Sequence, residues 1–352
     1  MSQLFSPLKL GRYTLTNAIA MAPMTRSRAT AEGVPTDLMA EYYAQRASAG
    51  LIITEGTAPS ALGKGYMNIP GLYNAEQVAG WRKVTESVHA QGGKIFVQIM
   101  HTGRVAHTSL LPNEAQPLAP SAITLSGQTF TPNGLQPYSE PRAMTEADIE
   151  QVLSEYENAT RLALEAGFDG VELHAASGYL PEQFLTTGSN QRTDNYGGSV
   201  ENRARFLLQA LERMIKVAGA ERVGIKLSPE MPFNDIRDAN PQETYPYVVQ
   251  QIAHLGLAYL HVALFGTTTD YHALFRPLFK STYLYGGGLT KERAEQLLAE
   301  QKADGVVFGT LFIANPDLPE RLRQNAPFNE ADKSTFYGGG AKGYTDYPTL
   351  AA

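Results

Sequence analysis

Two side chains able to share or move a proton, the imidazole of His174 and the phenol of Tyr179, stand five residues apart where a short apolar run gives way to a glycine and a polar loop. Residues 170–175 alternate, with Val171 and Leu173 to one side and Glu172 and His174 to the other, until Gly178 turns the chain. His174 therefore falls at the carboxyl end of a strand. An imidazole there can donate a hydrogen bond to a substrate oxygen, and a phenol beside it can deliver a proton. The ends of the other apolar runs carry Pro23 and Thr25, then Ala58, then Gln98 and His101, then Lys226, then Gly287 and Gly288, then Gly309 and Thr310. This set holds hydroxyls, an amide, one fixed cation and glycines whose backbone N–H groups can nest a phosphate.

What the set lacks is as informative. There is no nucleophile elbow, no pair of carboxylates set for glycoside chemistry and no three-ligand metal array among seven scattered histidines. Zero cysteines exclude disulfides, thiolate metal sites and cysteine nucleophiles. Donors and a cation without a nucleophile suit a planar cofactor that carries the chemistry itself. Each residue also has an ordinary structural reading. A strand-end histidine is commonly just hydrogen-bonded, Tyr179 equally fits a packed aromatic, and glycines 286–288 equally fit a tight strand-to-helix turn. Convergence of several strand ends on one mouth is what favours chemistry.

That convergence requires a particular scaffold. Apolar runs at 19–23, 51–58, 94–99, 170–174, 223–227, 258–263, 281–285 and 305–308 read as strands, and amphipathic stretches at 36–47, 75–91, 146–166, 199–217, 243–255, 291–300 and 316–323 read as helices. Eight such units predict one α/β domain over residues 1–352, a TIM (β/α)8 barrel whose strand carboxyl ends share one face. An open doubly wound sheet is the competing layout, but no glycine-rich fingerprint follows the first strand. Residues 4–17 read as an N-terminal β-hairpin capping the barrel's other end. Residues 101–144, rich in proline and glycine, read as an insertion after strand 3 that folds over the active face, and glycines 338–340 read as a flexible turn in the tail.

Composition narrows the partners. With 43% hydrophobic and 18% charged residues, the 352-residue chain has the make-up of a soluble globular protein. Its net charge of -6 is spread along the chain, so no basic patch recommends a nucleic acid or a membrane surface. No leader and no apolar run of about 18 residues is present, which points to a cytoplasmic protein. Without a long apolar stripe, a monomer is the default expectation.

The run APMTR at 22–26, His174 with Tyr179, SNQRTDNYGGSVENRARF at 189–206 and FIANPDL at 312–318 together resemble the old yellow enzyme family of flavin-dependent ene-reductases, N-ethylmaleimide reductase among them. The resemblance runs from Leu4 nearly to the last residue. It implies flavin mononucleotide (FMN) as cofactor, NADPH or NADH as hydride donor and a small activated alkene as substrate, taken in turn by a ping-pong mechanism. By the same resemblance Pro23, Thr25 and Ala58 pack along the flavin ring, Gln98 bonds its pyrimidine, Lys226 sits near N1 and O2, and Gly287, Gly288, Gly309 and Thr310 meet the phosphate. His174 and Ser177 polarise the substrate oxygen, Tyr179 protonates the α-carbon, and Tyr66, Met100 and Tyr337 line the substrate side.

Four of these positions depart from the family pattern. Ser177 stands for an asparagine or histidine, Lys226 and Thr310 each for an arginine, and Met100 for a large aromatic. The departures keep a second reading open, a barrel whose redox chemistry has been lost or altered, acting as a flavin-free isomerase-like enzyme or a small-molecule binding protein.

Overall fold

A computed structural model describes residues 2–350. Its centre is a closed barrel of eight parallel strands: β1 (Ile19–Met21), β2 (Leu51–Ile53), β3 (Ile95–Ile99), β4 (Gly170–His174), β5 (Val223–Leu227), β6 (Tyr259–Ala263), β7 (Tyr283–Gly286) and β8 (Gly305–Phe308). Each strand pairs with the next, and β8 closes on β1 through Val306 opposite Ile19. Between the strands run α1 (Asp37–Ala44), α2 (Ala75–Ala90), α3 (Glu146–Glu165), the short α4 (Leu180–Leu185), α5 (Val200–Ala218), α6 (Pro241–Ile252), the short α7 (Tyr271–Phe275) and α8 (Lys291–Ala299); α9 (Thr310–Ala314) and α10 (Leu318–Gln324) follow β8. The predicted helices do not include α4, α7 or α9, which are only six, five and five residues long and show too few turns for a helical period.

The helices start where their side chains can satisfy unpaired N–H groups. Thr36, Asn74, Ser199 and Thr290 each accept from the amide three residues on, and Thr145 with Asp148 forms a reciprocal capping box. The faces that then pack on the barrel are the periodic ones, such as Phe206, Leu207, Ala210, Leu211 and Met214 of α5.

Two strands are shorter than the apolar runs that announced them. β1 stops at Met21, where Pro23 has no N–H to continue the ladder. β2 stops at Ile53 because Thr54 and Thr57 turn their hydroxyls onto the Glu55 carbonyl, while the Glu55 carboxylate accepts from the Arg26 amide and the Tyr43 hydroxyl. Beyond β2 the chain still meets β3 through Thr54 N to the Phe96 carbonyl and the bridge Thr57 to Ile99, while Ala58 bridges Gly71 outside the sheet.

Inside the barrel, residues of period two form layers. At the base, Phe96 and Tyr259 occupy the space that glycines leave; a Cβ on Gly170 would lie 2.4 Å from the Phe96 ring, and one on Gly224 2.3 Å from the Tyr259 ring. The hairpin of Leu8–Leu10 and Tyr13–Leu15 lies beneath, with Leu10 and Leu15 buried in the same cluster. It is held to the strand amino ends by Tyr13 Oη to the Asp169 carbonyl and Thr282 Oγ1 to the Lys9 carbonyl.

Residues 101–144 contain a small hairpin, Gln128–Thr131 with Gly134–Pro137, and a two-stranded parallel pair, Leu118–Ala119 with Arg142–Ala143. Arg104 reaches the carbonyls of Asn234 and Asp235, and Arg192 those of Pro120 and Met144, so this segment is laced to the loops at the strand carboxyl ends. The glycines at 338–340 are not the loose turn expected. Gly338 N donates to the Arg26 carbonyl, Arg28 donates to the Gly340 carbonyl, and Tyr344 stacks on Tyr42 at 4.0 Å.

Candidate functional site

The layer above Phe96 and Tyr259 is polar. Gln98 on β3, Glu172 on β4 and His261 on β6 meet in the barrel axis, with Gln98 Nε2 donating to Glu172 Oε1 at 2.7 Å and His261 Nδ1 lying 3.0 Å from Glu172 Oε2. Burial alone would raise the Glu172 carboxyl, but His261, Lys226 and Gln98 outweigh it and hold it below the ordinary value. Glu172 takes one N–H of the Gln98 amide, and Gln98, which lines the cavity above, keeps a second N–H and its carbonyl oxygen.

One step higher, His174 and Lys226 are register partners on β4 and β5. Both line a cavity at the strand carboxyl ends together with Gln98. His174 is buried, and its Nδ1 has no hydrogen-bond partner among the described residues. Burial, then the nearby Lys226 and His261, drive the His174 pKa well below its ordinary value, so the ring is neutral at pH 7 and offers one N–H as a donor. Burial likewise lowers Lys226, while Glu172 and Glu182 act in the opposite direction.

The cavity is lined by Pro23, Met24, Thr25 and Gly56, by Thr310 and Ile313, and by Met100, Ser177 and Tyr179. Met100 occupies the space a side chain at position 56 would need, its Sδ 2.4 Å from where a Cβ on Gly56 would stand. Phe233, Phe336 and Tyr337 stand at the mouth, with Phe233 and Tyr337 exposed. Tyr179 meets the His174 ring edge-on at 4.8 Å between centroids. Burial pushes its phenol up to about 12, so it stays protonated at neutral pH. Behind it, the Tyr66 hydroxyl lies 3.0 Å from the Tyr179 hydroxyl.

The predicted residues are thus brought together unevenly. Pro23, Thr25, Gln98, Met100, His174, Ser177, Tyr179, Lys226, Thr310 and Tyr337 share the cavity. Ala58 and Tyr66 pack behind it, in an apolar cluster with Met100 and Tyr179. His101 is a correction. It points away from the mouth, accepts from the Gly103 amide, and is driven down to about 3 by burial, so it is a neutral structural ring. Gly287 and Gly288 leave β7 with φ of 150° and 64°, and nothing among the described residues lies within 4 Å of where a Gly288 side chain would begin. That opening faces the start of α8, a nine-residue helix. Gly309 sits against Met24 and Ala22, next to Thr310.

These groups fit a flavin. The neutral orphaned imidazole, the buried cation, the polar edge of Gln98 and the Thr25 hydroxyl line one cavity, and the open glycine turn can accept a phosphate through backbone N–H groups. Sequence reasoning missed Glu172, Gly56, Phe233, Phe336 and Glu182. Glu172 had a signal, since it shares a face with His174 two residues on; the others lie where no period operates.

Comparison with known proteins gives the family. The family model described as "NADH:flavin oxidoreductase / NADH oxidase family" matches residues 3–329. A protein of Leishmania infantum named "Probable flavin mononucleotide-dependent alkene reductase" is 43% identical over 99% of this chain and 97% of its own length. The solved structure of morphinone reductase in complex with tetrahydroNAD superposes with a TM-score of 0.96 at 46% identity, covering 100% of this chain and 98% of the other. The old yellow enzyme homologue from Zymomonas mobilis gives 0.96 at 41% identity, covering 99% and 100%.

Proposed function

The chain belongs to the old yellow enzyme family, the NADH:flavin oxidoreductase / NADH oxidase family of the matching model, and on that footing we propose that it is an FMN-dependent NAD(P)H:alkene oxidoreductase. The observation that carries this reading is the pairing of a neutral, unpartnered His174 with a protonated Tyr179 over one cavity floored by Gln98 and Lys226. Its substrates are small alkenes activated by a carbonyl or nitro group, such as enones, maleimides and nitroalkenes.

Flavin mononucleotide bound there supplies hydride acceptance from the nicotinamide and hydride return to the alkene. The protein's own residues do the rest. Lys226 places positive charge at the cavity floor, which favours an anionic reduced ring. Gln98, held by Glu172 through one N–H, keeps its other N–H and its carbonyl oxygen, so it can both donate to and accept from the edge of a ring. Pro23, Thr25 and Gly56 line the cavity beside the place of the ring. Gly287, Gly288 and Gly309 offer backbone N–H groups to the phosphate, and Thr310 adds a hydroxyl where an arginine would add charge.

On the substrate side, the His174 N–H donates to the alkene's activating oxygen and draws electron density from the β-carbon. Ser177 is the second donor, shorter than an amide side chain. Its hydroxyl already contacts Met231 Sδ at 3.6 Å, so it must turn to reach the substrate. Tyr179 gives its proton to the α-carbon, and Tyr66 stabilises the phenolate left behind through their shared hydrogen bond. Met100 and Tyr337 bound the space the alkene occupies, with Tyr66 one layer behind Tyr179. Both substrates must enter by the same mouth, so they take turns, in a ping-pong sequence.

The test is a steady-state matrix of NAD(P)H against an enone on flavin-loaded protein. Parallel double-reciprocal lines are expected; intersecting lines contradict the alternation. Release of an isomer of the enone without NAD(P)H consumption would instead support a flavin-free isomerase.

A further inference from the structure

Beneath the turn that joins His174 to Tyr179 lies a carboxylate with no part in the reaction as derived above. Glu182, the third residue of α4, is 1% exposed. Its Oε2 accepts from the Gly178 amide at 2.7 Å. Its Oε1 accepts from the Tyr245 hydroxyl at 2.6 Å and from Ser228 Oγ at 3.5 Å. Ser228 Oγ in turn accepts from the Ser177 amide at 2.8 Å. Two successive amides of the turn, those of Ser177 and Gly178, are therefore tied to one carboxylate, directly and through one serine.

Those two residues are the ones the turn strains. Ser177 has φ of 56° and Gly178 of 78°, the left-handed region, which costs a residue bearing a Cβ of the order of 1 kcal/mol. Successive residues of this kind turn their N–H groups to one side, and a carboxylate placed there holds the conformation. The same turn aims both Ser177 and Tyr179 into the cavity. A plain helix start would need only the Gly178 bond. The hydroxyls of Tyr245 on α6 and Ser228 just after β5 reach the same carboxylate from two other elements, and Lys226 of β5 lies close enough to act on its charge.

We infer that Glu182 is a positioning residue, whose ionised carboxylate fixes the Ser177–Gly178 turn and with it the aim of the Tyr179 hydroxyl at the alkene. The inference rests on Tyr179 as the proton donor. The charged and titratable groups facing Glu182 are Tyr245 and Lys226, with Asp238 acting on Tyr245 from beyond. Burial is the main force on the carboxyl and moves it up to about 7, so its charge changes within the working range of the enzyme.

The test uses the flavin-loaded protein, Glu182→Gln, which keeps the shape and removes the charge, and Tyr245→Phe, which keeps the charge and removes one donor. Amide hydrogen exchange at Ser177 and Gly178 is read alongside the two half-reactions, NAD(P)H oxidation and alkene reduction, from pH 5.5 to 8.5. The expected result is that Glu182→Gln raises Gly178 exchange about tenfold over the wild type at pH 8 and slows alkene reduction about tenfold, leaving NAD(P)H oxidation within twofold. Wild-type alkene reduction should rise through about pH 7, that rise should vanish in Glu182→Gln, and Tyr245→Phe should move it to higher pH. Unchanged exchange and an unchanged pH profile in Glu182→Gln overturn the inference, as does an equal loss in both half-reactions. If exchange rises but Tyr179→Phe leaves alkene reduction intact, the hold on the turn stands and the proton-donor reading of Tyr179 fails.

Discussion

The hydroxyls of Tyr66 and Tyr179 stand 3.0 Å apart, with their rings edge to face at 88°. Tyr179 is buried and protonated, yet the bond from Tyr66 eases its ionisation, since that contact lowers a pKa that burial raises. A proton donor needs both properties, a proton at neutral pH and a partner for the anion it leaves. Tyr179→Phe is expected to slow alkene reduction about a hundredfold while NAD(P)H oxidation stays within twofold. Rapid-mixing measurement of the separated half-reactions checks this, and equal loss in both would assign Tyr179 another role.

Ser177 offers a short hydroxyl where a second donor to the substrate oxygen is needed. Removing one such donor can cost roughly 3 to 4 kcal/mol in the transition state. Ser177→Asn, which lengthens the donor, is expected to raise alkene reduction about tenfold with carbonyl-activated substrates. The position is left-handed, and asparagine tolerates that conformation. No gain in kcat for an enone, with FMN binding unchanged, would show that His174 alone polarises the oxygen.

Thr310 is exposed at the start of α9, in the cavity lining next to Gly309. An arginine there adds a charge-assisted bond to a phosphate, worth about 1.5 to 3 kcal/mol. Thr310→Arg is expected to tighten FMN binding at least tenfold by fluorescence titration and to leave riboflavin, which has no phosphate, unchanged. Equal tightening of both would place the phosphate elsewhere.

Glu182 also predicts a stability signature. Its carboxyl moves from 4.5 in the unfolded chain up to about 7 in the fold, because burial disfavours the charged form. The folded state then holds a proton that the unfolded state has lost, so stability falls as pH rises from 4.5 through 7. The full effect is on the order of 3 kcal/mol. Glu182→Gln should flatten the fall in Tm between pH 5 and 7.5, and a slope equal to the wild type would place the titration on another group.

The barrel was legible because its strands are buried on both sides and its helices on one, so two different periods mark them. The inward residues followed from the period-two pattern, which placed Glu172 and His174 on one face. That pattern stops with β3 at Ile99, so it could not sort Met100, which lines the cavity, from His101, which does not. What the sequence does not show is contact across long separations. Glu182 meets Tyr245 across 63 residues, and Phe233 and Phe336 come to the mouth on loops that have no period at all. The tail glycines at 338–340 read as loose because their partners, Arg26 and Arg28, lie more than 300 residues upstream.

Purified protein mixed with excess FMN, freed of unbound flavin and then supplied with NAD(P)H and an enone, tests the central claim most directly. A yellow protein with an oxidised-flavin absorption band is expected, bleaching with NAD(P)H and regaining its colour as one enone is reduced per NAD(P)H consumed. Protein that stays colourless, and consumes no NAD(P)H with the enone present, would contradict the account.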